Sequence, residues 1–211
     1  MILTPASRHE IPRGASFFQT GFWAAFKESR RQFVRCFLLQ SSSRITPLVV
    51  CVRQGVGGIP YAYVPKGPGT TMDDEDRGLF LEELSLLLQE HLGDVACVRY
   101  DTEFPTPYTQ GEYWSDNGHW KGPPRTEIRE LRMNYGTRTR MLRKAPYDHF
   151  SPDTVLVDLR GSESDVLARM RQTTRHSIRK AYRSPVLFES LAPCDIKVWY
   201  QVYRDTARRK G

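Results

Sequence analysis

Residues 33–69 read FVRCFLLQSSSRITPLVVCVRQGVGGIPYAYVPKGPG. Two runs of apolar, β-branched and aromatic residues, Phe33 to Gln40 and Pro47 to Arg53, flank Ser41-Ser42-Ser43, a pattern that predicts paired strands. Gln54-Gly-Val-Gly-Gly58 reads as a turn and Tyr61 to Val64 as the next strand. Pro65-Lys-Gly-Pro-Gly69 then ends it, because two prolines and two glycines cannot continue regular structure.

Working outward, Asp73 to His91 has the spacing of an amphipathic helix. Leu79, Leu84, Leu87 and Leu88 supply its core face, and acidic residues crowd a first turn whose dipole favours them. Val95 to Tyr100 reads as a short buried strand ending at Asp101. A loop rich in Pro, Gly and Trp runs on to Pro124, and Arg125 to Met133 reads as helix. Upstream, residues 17–30 predict a short aromatic helix, with Phe22, Trp23 and Phe26 beside Lys27. From Thr154 the pattern restarts: strand Thr154 to Leu159, helix Ser162 to Arg183, strand Val186 to Glu189, helix Asp195 to Arg209. Strands alternating with helices predict an α/β or α+β fold with layered helices. Two halves, 1–152 and 153–211, fit this pattern. The second holds only two strands, too few for an independent sheet, so it is expected to be the incomplete start of a domain.

The chain has 211 residues, of which 39% are apolar and 11% aromatic, enough to build a core. Its 31 Lys and Arg outnumber 24 Asp and Glu, for a net charge of +7. Such an excess favours anionic partners: nucleic acid, phosphorylated metabolites or an anionic membrane surface. Cys36, Cys51, Cys97 and Cys194 form no CxxC pair and do not cluster with the five histidines, so reduced core thiols are expected and no metal site. The opening residues lack the basic and long apolar regions of a signal peptide. No stretch approaches the roughly 20 apolar residues of a membrane span. A soluble, cytoplasmic protein is expected.

The segment from Ser162 carries a second signal. Ser162-Glu-Ser-Asp165 has the spacing of a capping box. After it, Leu167, Met170, Thr174 and Ile178 form one helical stripe, with Arg171, Arg175, Arg179 and Arg183 alongside at i, i+4 spacing. Like charges so spaced repel by roughly 0.2–0.5 kcal/mol per pair. The ladder is therefore either a solvated basic face or the seat of something negative: phosphate, RNA or acidic side chains. Arginine suits bidentate contacts to phosphate and carboxylate.

Four segments together resemble a known family. Residues Asp153 to Leu159, Ser162 to Met170 and Gln172-Thr-Thr-Arg-His-Ser-Ile-Arg-Lys-Ala181 are similar to the T-x-x-x-D-L … K-x-T-R-x-x-I-R-x-A run of the FemABX peptidyltransferases. Gln19-Thr-Gly-Phe-Trp-Ala-Ala-Phe-Lys27 resembles that family's Q-S-x-x-W-x-x-x-K start. Tyr63-Val-Pro-Lys-Gly-Pro68 resembles its Y-x-P-R/K-G-P strand end, and Tyr203-Arg-Asp-Thr-Ala-Arg-Arg-Lys-Gly211 its Y-x-x-T-x-x-R-x-G/F helix end. All four stand in the family's order over residues 19–211.

The resemblance implies a pair of GNAT-like α/β domains, the first complete within this chain and the second cut short. It implies aminoacyl transfer from aminoacyl-tRNA to a stem-peptide amine of UDP-MurNAc-pentapeptide or lipid II, with no cofactor beyond the charged tRNA. It also leaves room for peripheral contact with the inner face of the membrane. Lys27 corresponds to the family lysine that meets a precursor phosphate, and Arg209 to an arginine facing the pyrophosphate. Lys66 and Gly67 fall at a strand end where a ligand contact competes with a structural turn. Arg175 and Arg179 correspond to a substrate- or tRNA-facing position. Asp101 is the candidate for orienting the attacking amine, and no general base is identified. No Ser-His-Asp or Cys-His arrangement supports a covalent intermediate, so direct attack by the amine is expected.

Two other readings compete. A CoA-dependent N-acyltransferase would share the fold, but its Q/R-x-x-G-x-G/A phosphate loop before a helix is matched only by Gln54-Gly-Val-Gly-Gly-Ile59, which misses the last glycine and precedes a strand. A non-catalytic basic fragment that binds RNA through the 171–183 arginines would show binding that weakens steeply with salt.

Overall fold

The computed structural model describes residues 1–12, 16–41, 44–150, 157–185 and 189–210. The chain divides into two compact units, Met1–Asp153 and Thr154–Gly211. Among the described residues it is a mixed α/β protein with one five-stranded sheet and six α-helices.

The sheet belongs to the first unit, in the order β1 (Ile2–Ala6), β2 (Phe33–Ser41), β3 (Arg44–Gln54), β4 (Pro60–Val64), β5 (Val98–Tyr100). The first four strands are antiparallel neighbours; β5 lies parallel to β4, and the connection between them contains α2 (Arg77–Leu92). A parallel neighbour needs such a crossover, whereas β2, β3 and β4 are joined in antiparallel pairs by short connections. β1, a segment with no strand signal of its own, pairs Ile2 to Ala6 with Gln40 to Cys36. Its proline, Pro5, is tolerated because β1 is an edge strand and needs no donor on its outer side.

β3 is covered on both faces: Leu48, Val49, Val50 and Cys51 are each fully buried. Leu48 and Val50 join Phe37, Leu39, Ala62, Val64 and the α2 residues Leu84 and Leu88. Val49 and Cys51 point to the opposite face, with Val34, Cys36 and Ala24 of α1 (Gly21–Ser29). One helix per face buries the strand completely, hence its continuous apolar run in place of alternation.

Several expectations change here. α2 begins at Arg77, so Asp73, Asp74, Glu75 and Asp76 precede the helix and leave its first turn without acidic residues. Its core face is Leu81, Leu84 and Leu88, with Leu87 partly buried. Leu79 is 43% exposed, because Gly78 is the position pressed against the Met133 carbonyl at the end of α3 (Thr126–Met133). Cys36 and Cys51 are core thiols as expected, but Cys97 and Cys194 are exposed, Cys97 lying just ahead of the short β5.

Glu82, on α2, is buried and ties down the chain beyond α3. It accepts hydrogen bonds from Arg138 N (2.8 Å), Thr139 N (2.7 Å) and the Thr139 hydroxyl (2.5 Å). The Thr139 hydroxyl and these two amides hold its carboxyl below the ordinary value of 4.5. A depressed carboxylate adds stability that is complete above its ordinary pKa and is lost as pH falls through the folded value. The melting-temperature gap between wild type and Glu82→Gln is therefore expected to be widest near pH 6 and to shrink below pH 4.5. A gap independent of pH would mean that the ionised carboxylate is not what Thr139 holds.

In the second unit, the single helix expected over 162–183 is two: α4 (Glu163–Arg169) and α5 (Gln172–Tyr182). Met170 breaks them, with extended backbone at φ −82° and ψ 154°. The Ser162 capping box forms, with Asp165 as its second member. α6 (Ile196–Lys210) follows. Of the strands expected at 154–159 and 186–189, residues 154–156 and 186–188 lie outside the described residues, and Val157 to Leu159 form no regular element. No described residue from 157 to 209 is buried, and α6 leaves Ile196, Trp199, Tyr200 and Tyr203 more than half exposed. Among the described residues no helix is long and apolar enough to cross a membrane.

Candidate functional site

The start of the site is a glutamine. Gln19 lies in a short 3-10 turn, Phe17–Gln19, just ahead of α1, and is 1% exposed. The β3–β4 ladder runs from Gln54–Pro60 to Cys51–Tyr63 and stops there. Beyond it the Gln19 amide takes the place of the next rung. Its Oε1 accepts from Val49 N (2.7 Å), and its Nε2 donates to Pro65 O (2.6 Å) and Val49 O (3.4 Å). Two strands that have parted are thus bridged by a side chain that satisfies backbone groups which cannot reach water.

The same amide explains Gly67. A Cβ there would stand 2.8 Å from the Gln19 side chain, closer than real Cβ contacts. Lys66 turns the chain into this packing with a left-handed φ of 48°, and the Gly67–Pro68 peptide is cis. Gly67 N donates to Asp101 O (3.1 Å), so that N–H is already committed. Lys66 itself is half-buried, with its ammonium 5.2 Å from the centre of the Phe150 ring.

Asp101 follows β5 directly. Its N–H donates to Val64 O (3.1 Å), and its Oδ2 accepts from the Tyr63 hydroxyl (2.5 Å). Tyr63 is the centre of a cluster that no sequence motif announces. The Arg53 guanidinium lies 4.2 Å above its ring, and the His149 imidazole meets it edge-on at 4.8 Å. Arg99, which pairs with Tyr63 across β4 and β5, donates to the Tyr147 carbonyl and covers the Tyr147 ring at 4.5 Å. Strand alternation puts Cys51, Arg53, Tyr63 and Arg99 on the sheet face that α1 covers, a juxtaposition no local spacing reveals.

The electrostatics follow from this packing. Burial and the neighbouring Asp101 carboxylate push the Tyr63 phenol well above its ordinary range, so it stays protonated and remains a donor. Burial, then Arg99 and Arg53, lower the His149 imidazole, while Asp101 opposes them. His149 is therefore neutral at physiological pH.

Lys27 stands in the last turn of α1. Its ammonium lies 4.4 Å from the Trp23 ring and 5.8 Å from that of Phe26. Burial raises the Cys51 thiol, opposed by the positive charges of Arg53 and Lys27. Among the described residues neither Lys27, Arg53 nor Lys66 has a hydrogen-bond or ion-pair partner. Glu28, the acid next to Lys27, is engaged by Arg8.

The second unit's expected residues are arranged differently. Arg175 turns back on α4, donating to Met170 O (2.6 Å) and Ala168 O (3.3 Å), and so satisfies carbonyls at that helix end. Arg171 stands at the N-cap of α5 and Arg183 at its C-cap, leaving Arg175 and Arg179 as the helical pair. Arg179 and Arg209 are exposed. Two clefts, of about 640 and 540 Å³, lie elsewhere, around Arg8, His9, Phe17 and Phe22 and around Ser7, Arg35, Cys36 and His91. Neither is lined by Lys27, Lys66 or Asp101. No protein-family model matches the chain, and no curated protein matches it.

Proposed function

We propose that the chain is of the FemABX aminoacyltransferase type, with residues 1–152 as its first GNAT-like domain and 153–211 in its second, acting on a UDP- or lipid-linked muropeptide. The observation that carries this reading is the Gln19 bridge. The segments 19–27 and 63–68, whose motifs resemble the family's, are more than 30 residues apart in sequence. They are hydrogen-bonded in the fold, with Asp101 attached to the second of them through Gly67 and Tyr63. A mixed sheet carrying a helix on each face also supports the GNAT-like half that the reading requires.

In this reading Lys27 receives a phosphate of the precursor and Lys66 flanks the same face. Asp101 has one carboxylate oxygen held by Tyr63, so its other oxygen is left to orient the attacking amine. Holding amine and ester together supplies most of what the transfer needs. Arg175, Arg179 and Arg209 are anion contacts of the second unit taken by itself, Arg175 only after leaving its carbonyls. The CoA-dependent alternative is weakened by charge. The helix after the Lys66–Pro68 turn is preceded by Asp73, Asp74, Glu75 and Asp76, which repel a pyrophosphate at the place where a helix N-terminus would otherwise attract one.

Calorimetry with UDP-MurNAc-pentapeptide and with CoA is expected to show saturable binding of the first alone. Incubation with aminoacyl-tRNA is expected to give transfer without a labelled protein intermediate. Binding of CoA in place of the muropeptide, or a trapped aminoacyl-enzyme, would overturn the assignment or its single-displacement mechanism respectively.

A further inference from the structure

The Pro-, Gly- and Trp-rich loop ahead of α3 takes no part in the site described above, yet it is built to hold two tryptophans. Residues Tyr113 to Lys121 form a small hairpin, in which Ser115 N donates to His119 O (2.8 Å) and Lys121 N to Tyr113 O (2.8 Å). These two bonds enclose Trp114 and Trp120 as an antiparallel pair that shares no hydrogen bond of its own. Facing residues of that kind lie about 4.5 Å apart at Cα and project their side chains on one face. Both indoles are then pinned: Trp114 Nε1 donates to Thr109 O (2.9 Å) and Trp120 Nε1 to Tyr108 O (2.9 Å), two consecutive carbonyls. Tyr108 is itself buried, edge-on to Tyr113 at 5.3 Å and with the Arg132 guanidinium 5.5 Å from its ring centre. The support therefore reaches back to α3 through Arg132.

Rings pinned in this way ordinarily complete a core; these do not. Trp114 is 42% and Trp120 37% exposed, leaving in water apolar surface that burial would have made stabilising. Their N–H groups are already committed, so what they offer a ligand is ring surface alone. A ligand for it must present a flat apolar face, either a nucleobase or the C–H face of a pyranose ring. The charge of the loop decides between them. Residues 105–124 carry Glu112 and Asp116 against Lys121 alone, in a chain whose net charge is +7. Single-stranded nucleic acid is held by a cationic groove beside its stacking rings, and this loop has none. Asp116, Asn117 and His119, exposed on the same hairpin, are side chains able to serve sugar hydroxyls. We infer that Trp114 and Trp120 form a stacking platform for an uncharged glycan, a β-linked chain of hexopyranose units whose equatorial hydroxyls leave C–H groups on both ring faces. Rigid aromatic side chains lose little conformational freedom on binding, so a pinned pair suits such a ligand. The platform does not depend on the aminoacyltransferase reading and stands or falls apart from it.

The test is titration of the full 211-residue chain with β-linked tetrasaccharides of glucose and of N-acetylglucosamine, and with a short single-stranded RNA, followed by the indole N–H signals in NMR spectra. The chain has four tryptophans, Trp23, Trp114, Trp120 and Trp199, and a phenylalanine substitution at each assigns its signal. The saccharides are expected to shift the Trp114 and Trp120 signals saturably and to leave those of Trp23 and Trp199 unmoved. Trp114→Ala and Trp120→Ala should each weaken binding by about 10- to 100-fold, the order of loss for removing one stacking ring. Trp114→Phe should keep more affinity than Trp114→Ala, because it retains a ring. A melting curve shows whether each alanine variant is folded; where one is not, the shifts in wild type and the affinity of Trp114→Phe decide. Absence of shifts in wild type, or shifts confined to Trp23 or Trp199, overturns the platform. A folded protein carrying both Trp114→Ala and Trp120→Ala that binds like wild type does the same. Shifts of the two signals by RNA and not by saccharide overturn the glycan assignment.

Discussion

Gln19→Leu is expected to destabilise the first unit by about 2–5 kcal/mol, the largest single effect on stability foreseen for this chain. Leucine has similar volume, so little cavity forms and the loss is that of the amide. Val49 N loses its acceptor and Pro65 O its donor, and both residues are fully buried. A stranded buried backbone group costs roughly 1–3 kcal/mol, and two are stranded at once. Urea unfolding followed by circular dichroism should show a lower midpoint with an unchanged slope. Gln19→Glu keeps an acceptor for Val49 N but turns a carboxylate oxygen toward the Pro65 carbonyl, so it should also be destabilised, less so at acid pH where the carboxyl can donate. A Gln19→Leu protein that unfolds with the wild-type midpoint would show that the strands hold together without this bridge. Muropeptide binding should weaken along with stability, since Lys66 and Gly67 owe their placement to the same amide.

Lys27→Glu should reduce muropeptide affinity by roughly 100-fold or more while leaving the fold intact. A hydrogen bond to a charged group is worth about 1.5–3 kcal/mol. Reversal adds repulsion of about 1 kcal/mol in water and more near a protein surface, and about 1.4 kcal/mol is a factor of ten. The fold should tolerate the change because Lys27 is half-buried and its structural contact is the Trp23 ring, worth about 0.5–1 kcal/mol when exposed. Lys27→Met, which keeps the apolar stem, should fall between wild type and Lys27→Glu. Calorimetry with UDP-MurNAc-pentapeptide and a melting curve for each variant distinguish loss of binding from loss of fold. If Lys27→Glu binds like wild type, the lysine does not meet the precursor, and the proposed function loses its principal residue.

The elements with strong local signals are legible in the amino-acid sequence. Phe33–Ser41 and Arg44–Gln54 are long β-branched and aromatic runs, and the capping box at Ser162 is a contact within four residues, so periodicity and local chemistry suffice for them. β1 is not legible there, because Ile2–Ala6 has five residues including a proline and becomes a strand only against β2. The helix expected over 162–183 fails at two residues, Met170 and Arg171. Met170 has good helix propensity, yet the backbone turns extended there and Arg175 closes the end of α4, a three-dimensional cap that spacing alone does not announce.

The amino-acid sequence by itself determined where the helices and the strands after β1 form in the first unit, the excess of positive charge, and the four motif segments, since each depends on neighbours a few residues away. Tertiary structure alone decided which of those segments meet. The Gln19 bridge spans 30 and 46 residues and Tyr63 reaches Asp101 across 38. Arg53, Arg99 and His149 gather on Tyr63 because strand alternation and sheet order put them on one face. Such contacts follow from register and packing, which involve the whole chain at once and leave no mark in any local stretch of it.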